Sequence, residues 1–504
     1  MKVRLGRRSS LLNDISVVIV GAGFGGLAAA IELTRAGVSD ITIFERGADV
    51  GGVWRDNIYP GAACDVPSPI YSFSYALKPD WSALFGTQTE IQHYLSSVVD
   101  DFGLRSKIRF NSEVTTAELD EADGTWTVTT AAGDNVTADA LIMATGQLSR
   151  PKIPDVAGLG TFDGESFHSA RWRDDIDLTG KRIVVVGSGA SAIQVVPAIA
   201  DQVAELTVVQ RSPNWVMWKS RRVPGRLQTA LMHRFGVLRR LHYIALFIAY
   251  EMRYPLVTRA AKPVRRLAQW YLVRRLRRHV TDPAEVAAAT PDYEVMCNRI
   301  LLSNDWYRTI GRQHVHLVGS AVQRVHKHGV QTVDGRSIDA DVIIWCTGFK
   351  AAQLLMPIAI RGRDGIDLHE QWTDGAEAYL GIAVPNFPNM FLLYGPNTNS
   401  ITNTVIFLLE RQAVYIRKAL QYRRTHRLAM LEVNQAAYDE FQSWLRRKLD
   451  KTVFTTGCPG WYTNEAGKVT AMWPSSHLSY AWATRGIQPK AYAGNDRVRC
   501  SAST

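Results

Sequence analysis

The 504-residue chain reads as an α/β protein with two Rossmann-like dinucleotide-binding domains and a basic, mainly helical insertion in the second. Three observations predict that fold. An apolar strand, a glycine-rich turn and a helix open the chain from Ile15. The same run of elements returns from Lys181. A long stretch rich in both arginine and apolar residues interrupts the second copy.

In the first copy the apolar run ending at Val20 leads into GAGFGGLAAAIELTRAG. Gly21 permits the tight turn, Gly23 lets backbone approach a pyrophosphate, and Gly26 lets the helix pack closely on its strand. The phosphates then meet the positive end of the helix. A second strand over residues 41–44 ends at Glu45, nineteen residues beyond Gly26, where a carboxylate accepts hydrogen bonds from a ribose hydroxyl. Strand, glycines, helix and acid together point to a dinucleotide site rather than a ligand-free turn. The expected FAD contacts are Gly21, Gly23, Phe24, Gly26, Glu45 and Arg46.

The second copy, KRIVVVGSGASAIQVVPAIA, places Gly187, Gly189 and Ala192 at the three small-residue positions, with Ala190 and Ser191 between them. Its following strand, residues 206–209, runs into Gln210, Arg211 and Ser212. Arg211 stands nineteen residues after Ala192, where the first copy has its acid. A guanidinium there suits a 2′-phosphate through charge-assisted, bidentate hydrogen bonds, so NADPH is expected. The plainer alternative is an exposed surface arginine.

Two further strands end in A-T-G at Thr145-Gly146 and C-T-G at Thr347-Gly348, each marking a return of the chain between the nucleotide domains. A hairpin, residues 108–118 with 125–130, precedes the first. The expected order is FAD domain (1–150), NADPH domain (151–218), helical insert (219–292), NADPH domain again (293–384) and a C-terminal return to the FAD domain (385–504).

Ordinary proportions of hydrophobic residues, 46%, and charged residues, 21%, exclude a disordered or collagen-like chain. The net charge of +11 is concentrated. From Lys219 to His279, sixteen Lys and Arg face one acid, Glu251, so the remainder is slightly acidic. Basic and apolar residues are interleaved there, which argues against nucleic acid. They suit either a helical insert with solvated arginines or peripheral contact with an anionic membrane surface through residues 219–279. The apolar run 241–250 is too short to cross a bilayer.

The five cysteines, Cys64, Cys297, Cys346, Cys458 and Cys500, are scattered and contain no C-x-x-C pair or zinc spacing. No disulfide framework and no metal site are expected. The N-terminal MKVRLGRRSSLLNDI lacks a signal-peptide core and reads as a disordered arm, so the expected location is cytoplasmic. Disulfide reductases, which need a redox cysteine pair beside the flavin, are excluded on the same grounds.

Three motifs resemble the class B flavoprotein monooxygenases, and among them the type I Baeyer-Villiger monooxygenases. FDGESFHSARW carries Phe162, Gly164, His168 and Trp172 at the family's fingerprint positions, although Arg173 follows where Pro or Asp is usual. GGVWRDNIYPGAACD carries Gly52, Trp54, Tyr59, Pro60, Gly61 and Asp65 of the companion fingerprint. CNRILLSNDWY resembles the segment supplying the family's active-site arginine, here Arg299, with Asn298 where Lys is common.

The resemblance implies that NADPH reduces FAD, that O₂ forms a flavin peroxide, and that this peroxide inserts one oxygen beside the carbonyl of an apolar ketone. Arg299 then supplies a permanent positive charge and Asp65 orients it. Their alternative is an ordinary interdomain ion pair. His168 and Trp172 are expected to couple domain rotation to cofactor position rather than to act as bases. Asn397, with Pro396, Thr398 and Asn399, is expected near the flavin; Trp461, Tyr462 and Trp473 line a substrate pocket or fill a core. His314 and His316 read as structural. Two rival functions remain open: oxidation of nitrogen or sulfur at the same site, and a flavin-binding protein at a membrane surface without oxygenase activity. The ketone's identity and the oligomeric state are not encoded in any of these motifs.

Overall fold

A computed structural model describes residues 12–496 except 459, 461 and 465. Residues 1–11, Trp461 and Cys500 therefore lie outside the described residues. The N-terminal arm is corrected at its end: Leu12 and Ile15 are buried in the main core, because their apolar side chains cap the first sheet.

Ser16–Val20 pairs in parallel with Asp40–Phe44 on one side and Ala140–Met143 on the other; Ile108–Arg109 and Met390–Leu392 complete five parallel strands. Such strands read as continuous apolar runs because both faces are covered, one by helices and the other by the antiparallel side sheet around Trp126. The helix Phe24–Arg35 packs here against the long C-terminal helix Val405–Thr425. A second parallel sheet repeats the plan, with Arg182–Val186 between Glu205–Val209 and Val342–Trp345, and Val315–Val318 and Glu165–His168 at its edges.

Two expectations shift. The hairpin begins at Val114, pairing Val114–Asp120 with Thr125–Thr130, while Ile108 belongs to the first sheet. The strand Ala359–Arg361 pairs with this side sheet, so the chain is back at the first unit well before residue 385. Three residues of edge pairing are too short a signal to read from sequence.

The parallel pair Val216–Met217 and Leu301–Leu302 closes the base of the insert. Between them run the helices Arg226–Arg234, Gly236–Glu251, Lys262–Leu276 and Pro283–Ala288. The insert is tied down by ions. Buried Arg265 pairs with Glu294 at 2.7 Å and donates to the Leu256 and Thr258 carbonyls. Glu251, the single acid of the basic stretch, accepts from Asn403 Nδ2 and the Leu478 backbone N–H and lies 3.1 Å from His477.

Contrary to the expectation from cysteine spacing, a disulfide is present. Cys297 and Cys458, 161 residues apart, form a disulfide with Cα atoms 5.5 Å apart. Spacing along the chain reveals short-range motifs only, and this pair is brought together by the fold. With it, cysteine usage ceases to argue for a reducing compartment. Cys64 and Cys346 are buried free thiols.

Glu410 lies buried on the Val405–Thr425 helix, accepting from the Ser74 backbone N–H at 2.6 Å and the Ser74 hydroxyl at 2.8 Å. Burial pushes its carboxyl up to about 7 against the pull of those bonds. The folded chain thus holds a proton that the unfolded chain releases above its ordinary carboxylate range, and stability from this group is lost as pH rises through about 7. Glu410→Gln is expected to unfold like the parent at pH 4 and to be more stable at pH 8 by up to about 3 kcal/mol, read from thermal unfolding at both pH values.

Candidate active site

A cavity of about 900 Å³ runs between the two sheets and takes its walls from both glycine turns. At the first turn, a Cβ on Gly21, whose φ is +106°, would stand 2.6 Å from the Ala144 carbonyl oxygen, and one on Gly26 would stand 1.9 Å from the Gly21 oxygen. Gly23 differs: it faces open space beside Gly52. Two glycines are therefore demanded by packing and one by access. The second turn repeats the distinction, because a Cβ on Gly187 would stand 2.4 Å from the Cys346 oxygen while Gly189 has nothing within 4 Å. A side-chain-free ledge at a helix start fits the close backbone approach that a pyrophosphate needs.

The expected site residues distribute as follows. Gly52, Trp54, Thr145, Gly146, Ala190, Ser191, Arg211, Ser212, Thr347 and Gly348 all border the cavity. Phe24 borders it too, but its ring is buried 5.3 Å from those of Tyr71 and Phe73. Glu45 accepts from the Ala22 backbone N–H through Oε2, and from Gly47 N–H and Arg55 through Oε1, leaving acceptor capacity on Oε2 for a ribose hydroxyl. Arg46 donates to the Ser149 carbonyl at 2.9 Å. Arg211 is exposed at the rim and makes no ion pair among the described residues, so its guanidinium is available to an anion. Ser188 Oγ fixes the adjacent Ser212 through its carbonyl at 3.0 Å.

Asn397 is the exception and a correction. Its amide donates to the Val469 and Met472 carbonyls inside the core and does not reach the cavity. Its neighbour Asn399 lines the wall instead. Asn397 adopts φ +54°, in the left-handed region that Asn tolerates. Tyr462 lines the wall, whereas Trp473 fills the core against Trp444 and Tyr480.

At the centre, Arg299 Nε meets Asp65 Oδ2 at 2.6 Å. Burial alone would lower the guanidinium pKa, but the Asp65 charge outweighs it and raises the net value, so the cation is permanent. Asp65 is positioned from the second unit. Gln194, on the Ala192–Ile199 helix, accepts from the Ala63 N–H and donates to the Ala63 carbonyl, at 3.2 and 3.1 Å. Gly61 makes that contact feasible: its φ is +80° and a Cβ would stand 2.8 Å from the Gln194 carbonyl oxygen. Burial pushes the Tyr462 phenol up to about 12 and the Tyr394 phenol upward, so both stay neutral beside the cation. Arg55, Gln194 and Tyr394 were not legible in the sequence, since none sits at a motif position.

His168 stands behind the cavity wall and braces its C-T-G turn. Nδ1 accepts from the Ala170 N–H at 3.0 Å, which leaves Nε2 to donate to the Gly348 carbonyl, also at 3.0 Å. Burial lowers its pKa to about 4. It is a neutral strut between the linker strand and the C-T-G turn. His314 binds the Ala200 carbonyl, and His316 pairs with Glu205 at the surface.

The chain is similar to the pyridine nucleotide-disulphide oxidoreductase family over residues 18–251. Cys297 and Cys458 are absent from the cavity wall, their sulfurs lying by the Val453 carbonyl instead. A Baeyer-Villiger monooxygenase of Streptomyces coelicolor is 39% identical, with 95% of this chain aligned to 92% of that protein. Among solved structures, an oxidised steroid monooxygenase bound to NADP superposes with a TM-score of 0.85 at 31% identity, covering 96% of this chain and 99% of the other. OTEMO in complex with FAD and NADP gives a TM-score of 0.87 at 28% identity, covering 95% and 99%. With two glycine ledges on one cavity, an aspartate-held arginine between them, and likeness over nearly its whole length, the chain belongs to the Baeyer-Villiger monooxygenase family.

Proposed function

We propose that Arg299, oriented by Asp65, is the fixed cation that directs oxygen insertion beside the carbonyl of an apolar ketone, with FAD held at the first glycine turn and NADPH at the second. The chain is an FAD- and NADPH-dependent flavoprotein monooxygenase of the Baeyer-Villiger type. When bound, reduced flavin activates O₂: one oxygen atom enters the ester or lactone, the other leaves as water, and NADPH supplies the two electrons. The protein's own task is to hold charge and exclude solvent.

The observation that carries this reading is the 2.6 Å Arg299–Asp65 contact on a wall shared by both turns. The Asp65 charge holds the guanidinium on the wall, where it can face negative charge developing on oxygen. Neutral Tyr394 and Tyr462 keep the surroundings of low polarity, where a fixed charge acts more strongly than in water. Val66, Val405, Ile406 and Leu409 give the cavity an apolar wall, which supports an apolar ketone as substrate. A permanent cation favours delivery of oxygen as a nucleophile, and so a carbonyl over an amine or sulfide. Turnover of a ketone and a sulfide under ¹⁸O₂ with NADPH tests this: ester carrying one labelled oxygen is expected as the main product. Sulfoxide as the main product would sink the reading.

For the nicotinamide cofactor the reading rests on Arg211, since Asn298 carries no charge. Arg211→Ala is expected to raise KM for NADPH by about 10- to 100-fold, the worth of a charge-assisted hydrogen bond, and to leave KM for NADH nearly unchanged. Steady-state kinetics with both cofactors provide the check.

A further inference from the structure

The Gly236–Glu251 helix is apolar on two opposite sides. Its inward side buries Tyr243 and Phe247 in the main core, the Phe247 ring 4.7 Å from that of Phe407. Its outward side, which a globular surface helix would make polar, exposes Val237, Leu241, Ile244 and Ile248, with Met252 just beyond at 74% exposure. Their spacing of three or four residues lines them up as one stripe. The next long helix, Lys262–Leu276, adds exposed Val264, Leu267 and Trp270. Exposed Leu478 and Trp482 extend the surface from the C-terminal helix His477–Ala483, whose Leu478 N–H is bonded to Glu251.

The same helices and their flanking residues carry exposed Arg226, Arg234, Arg240, Arg266, Arg274 and Arg278. The cations of this stretch that form ion pairs among the described residues are Arg221, His233, Lys262 and Arg265, so the six arginines form none. Uncompensated cations beside an apolar stripe are the complement of an anionic lipid surface, with head groups taking the guanidiniums and the acyl boundary taking the stripe. Among the described residues no helix is long and apolar enough to cross a membrane, so the helices would lie in the interface plane.

We propose that the outward faces of these two helices, with Leu478 and Trp482, form a docking surface for an anionic bilayer. A second copy of the chain fits this surface poorly: a two-fold contact would set each cationic patch against its own copy. Nucleic acid would answer the arginines and leave the apolar stripe in water. The surface lies close to the catalytic pair. Tyr250, on the inward side of the first helix, is near enough to Asp65 for that carboxylate to add to the effect of burial on its phenol.

The test is sedimentation of the full-length holoenzyme with vesicles of phosphatidylcholine alone or mixed with phosphatidylglycerol. Binding is expected to be about tenfold stronger to the anionic vesicles and to weaken with salt. Leu241→Gln/Ile244→Gln/Ile248→Gln is expected to lose that binding while keeping its flavin and its turnover of a water-soluble ketone, because all three side chains already face solvent. Arg240→Glu/Arg274→Glu is expected to abolish the preference for anionic vesicles. Equal or negligible binding to both vesicle types, or undiminished binding by the triple-Gln variant, would overturn the proposal. A dimer of the parent that the triple-Gln variant converts to monomer would also overturn it, assigning the stripe to a second copy.

Discussion

Arg299→Ala is expected to lower the rate of ester formation by about 100- to 1000-fold, the range found when a preorganised group facing developing negative charge is removed. The expectation follows from position. The guanidinium is the cation on the cavity wall that Asp65 holds at 2.6 Å, and the balance of burial against that carboxylate keeps it charged at any working pH. Reduction of the flavin by NADPH, followed by loss of its visible absorbance without O₂, should survive within a few-fold, because the glycine ledges are untouched. Arg299→Lys is expected to recover little: an ammonium is a strongly hydrated point charge without the planar, five-donor fork of a guanidinium. Asp65→Asn should fall between the two, since it leaves a cation without the charge that holds it on the wall. Ester formation by Arg299→Ala at the parental rate would remove the arginine from the mechanism.

Loss of the Cys297–Cys458 bond is the second large effect. The bridge closes 161 residues of chain, and replacing both cysteines by serine is expected to cost about 2–4 kcal/mol, less than the roughly 5 kcal/mol that chain entropy alone assigns to so long a loop. Treating the parent with a thiol reductant should reproduce the fall in unfolding temperature, and the double-serine variant should show no further response. Activity is expected to fall along with stability. Cys297 lies two residues before Arg299, and the segment after Cys458 brings Tyr462 to the same wall. An unfolding temperature that reductant leaves unchanged would show that the two thiols are not bridged in solution.

The helical insert shows how the kinds of information divide. Its basic and apolar composition was plain in the sequence, as was its helical character. Apolar residues at helical spacing do not say which side faces the core, because Tyr243 and Ile244 are equivalent to any periodicity argument. The structure buries the first and exposes the second. Asn397 illustrates the same limit at a single residue. The sequence located the turn beside the cavity, but the carbonyls of Val469 and Met472, some seventy residues on, hold the Asn397 amide in the core while Asn399 lines the wall.

Both strand-turn-helix units are legible from neighbouring residues, since Gly26 answers the Gly21 carbonyl and Gly23 the open space at a helix start, although Gly21 and Gly187 are also pressed by the distant Ala144 and Cys346 carbonyls. The sequence by itself also named Asp65 and Arg299 through motifs. Only the tertiary structure decided that these two, far apart in the chain, touch through a loop clasped by Gln194, and that two scattered cysteines meet. The physical reason is range. Turn geometry and helix periodicity are written in neighbouring residues, whereas a long-range side-chain contact exists only after the intervening domains have packed.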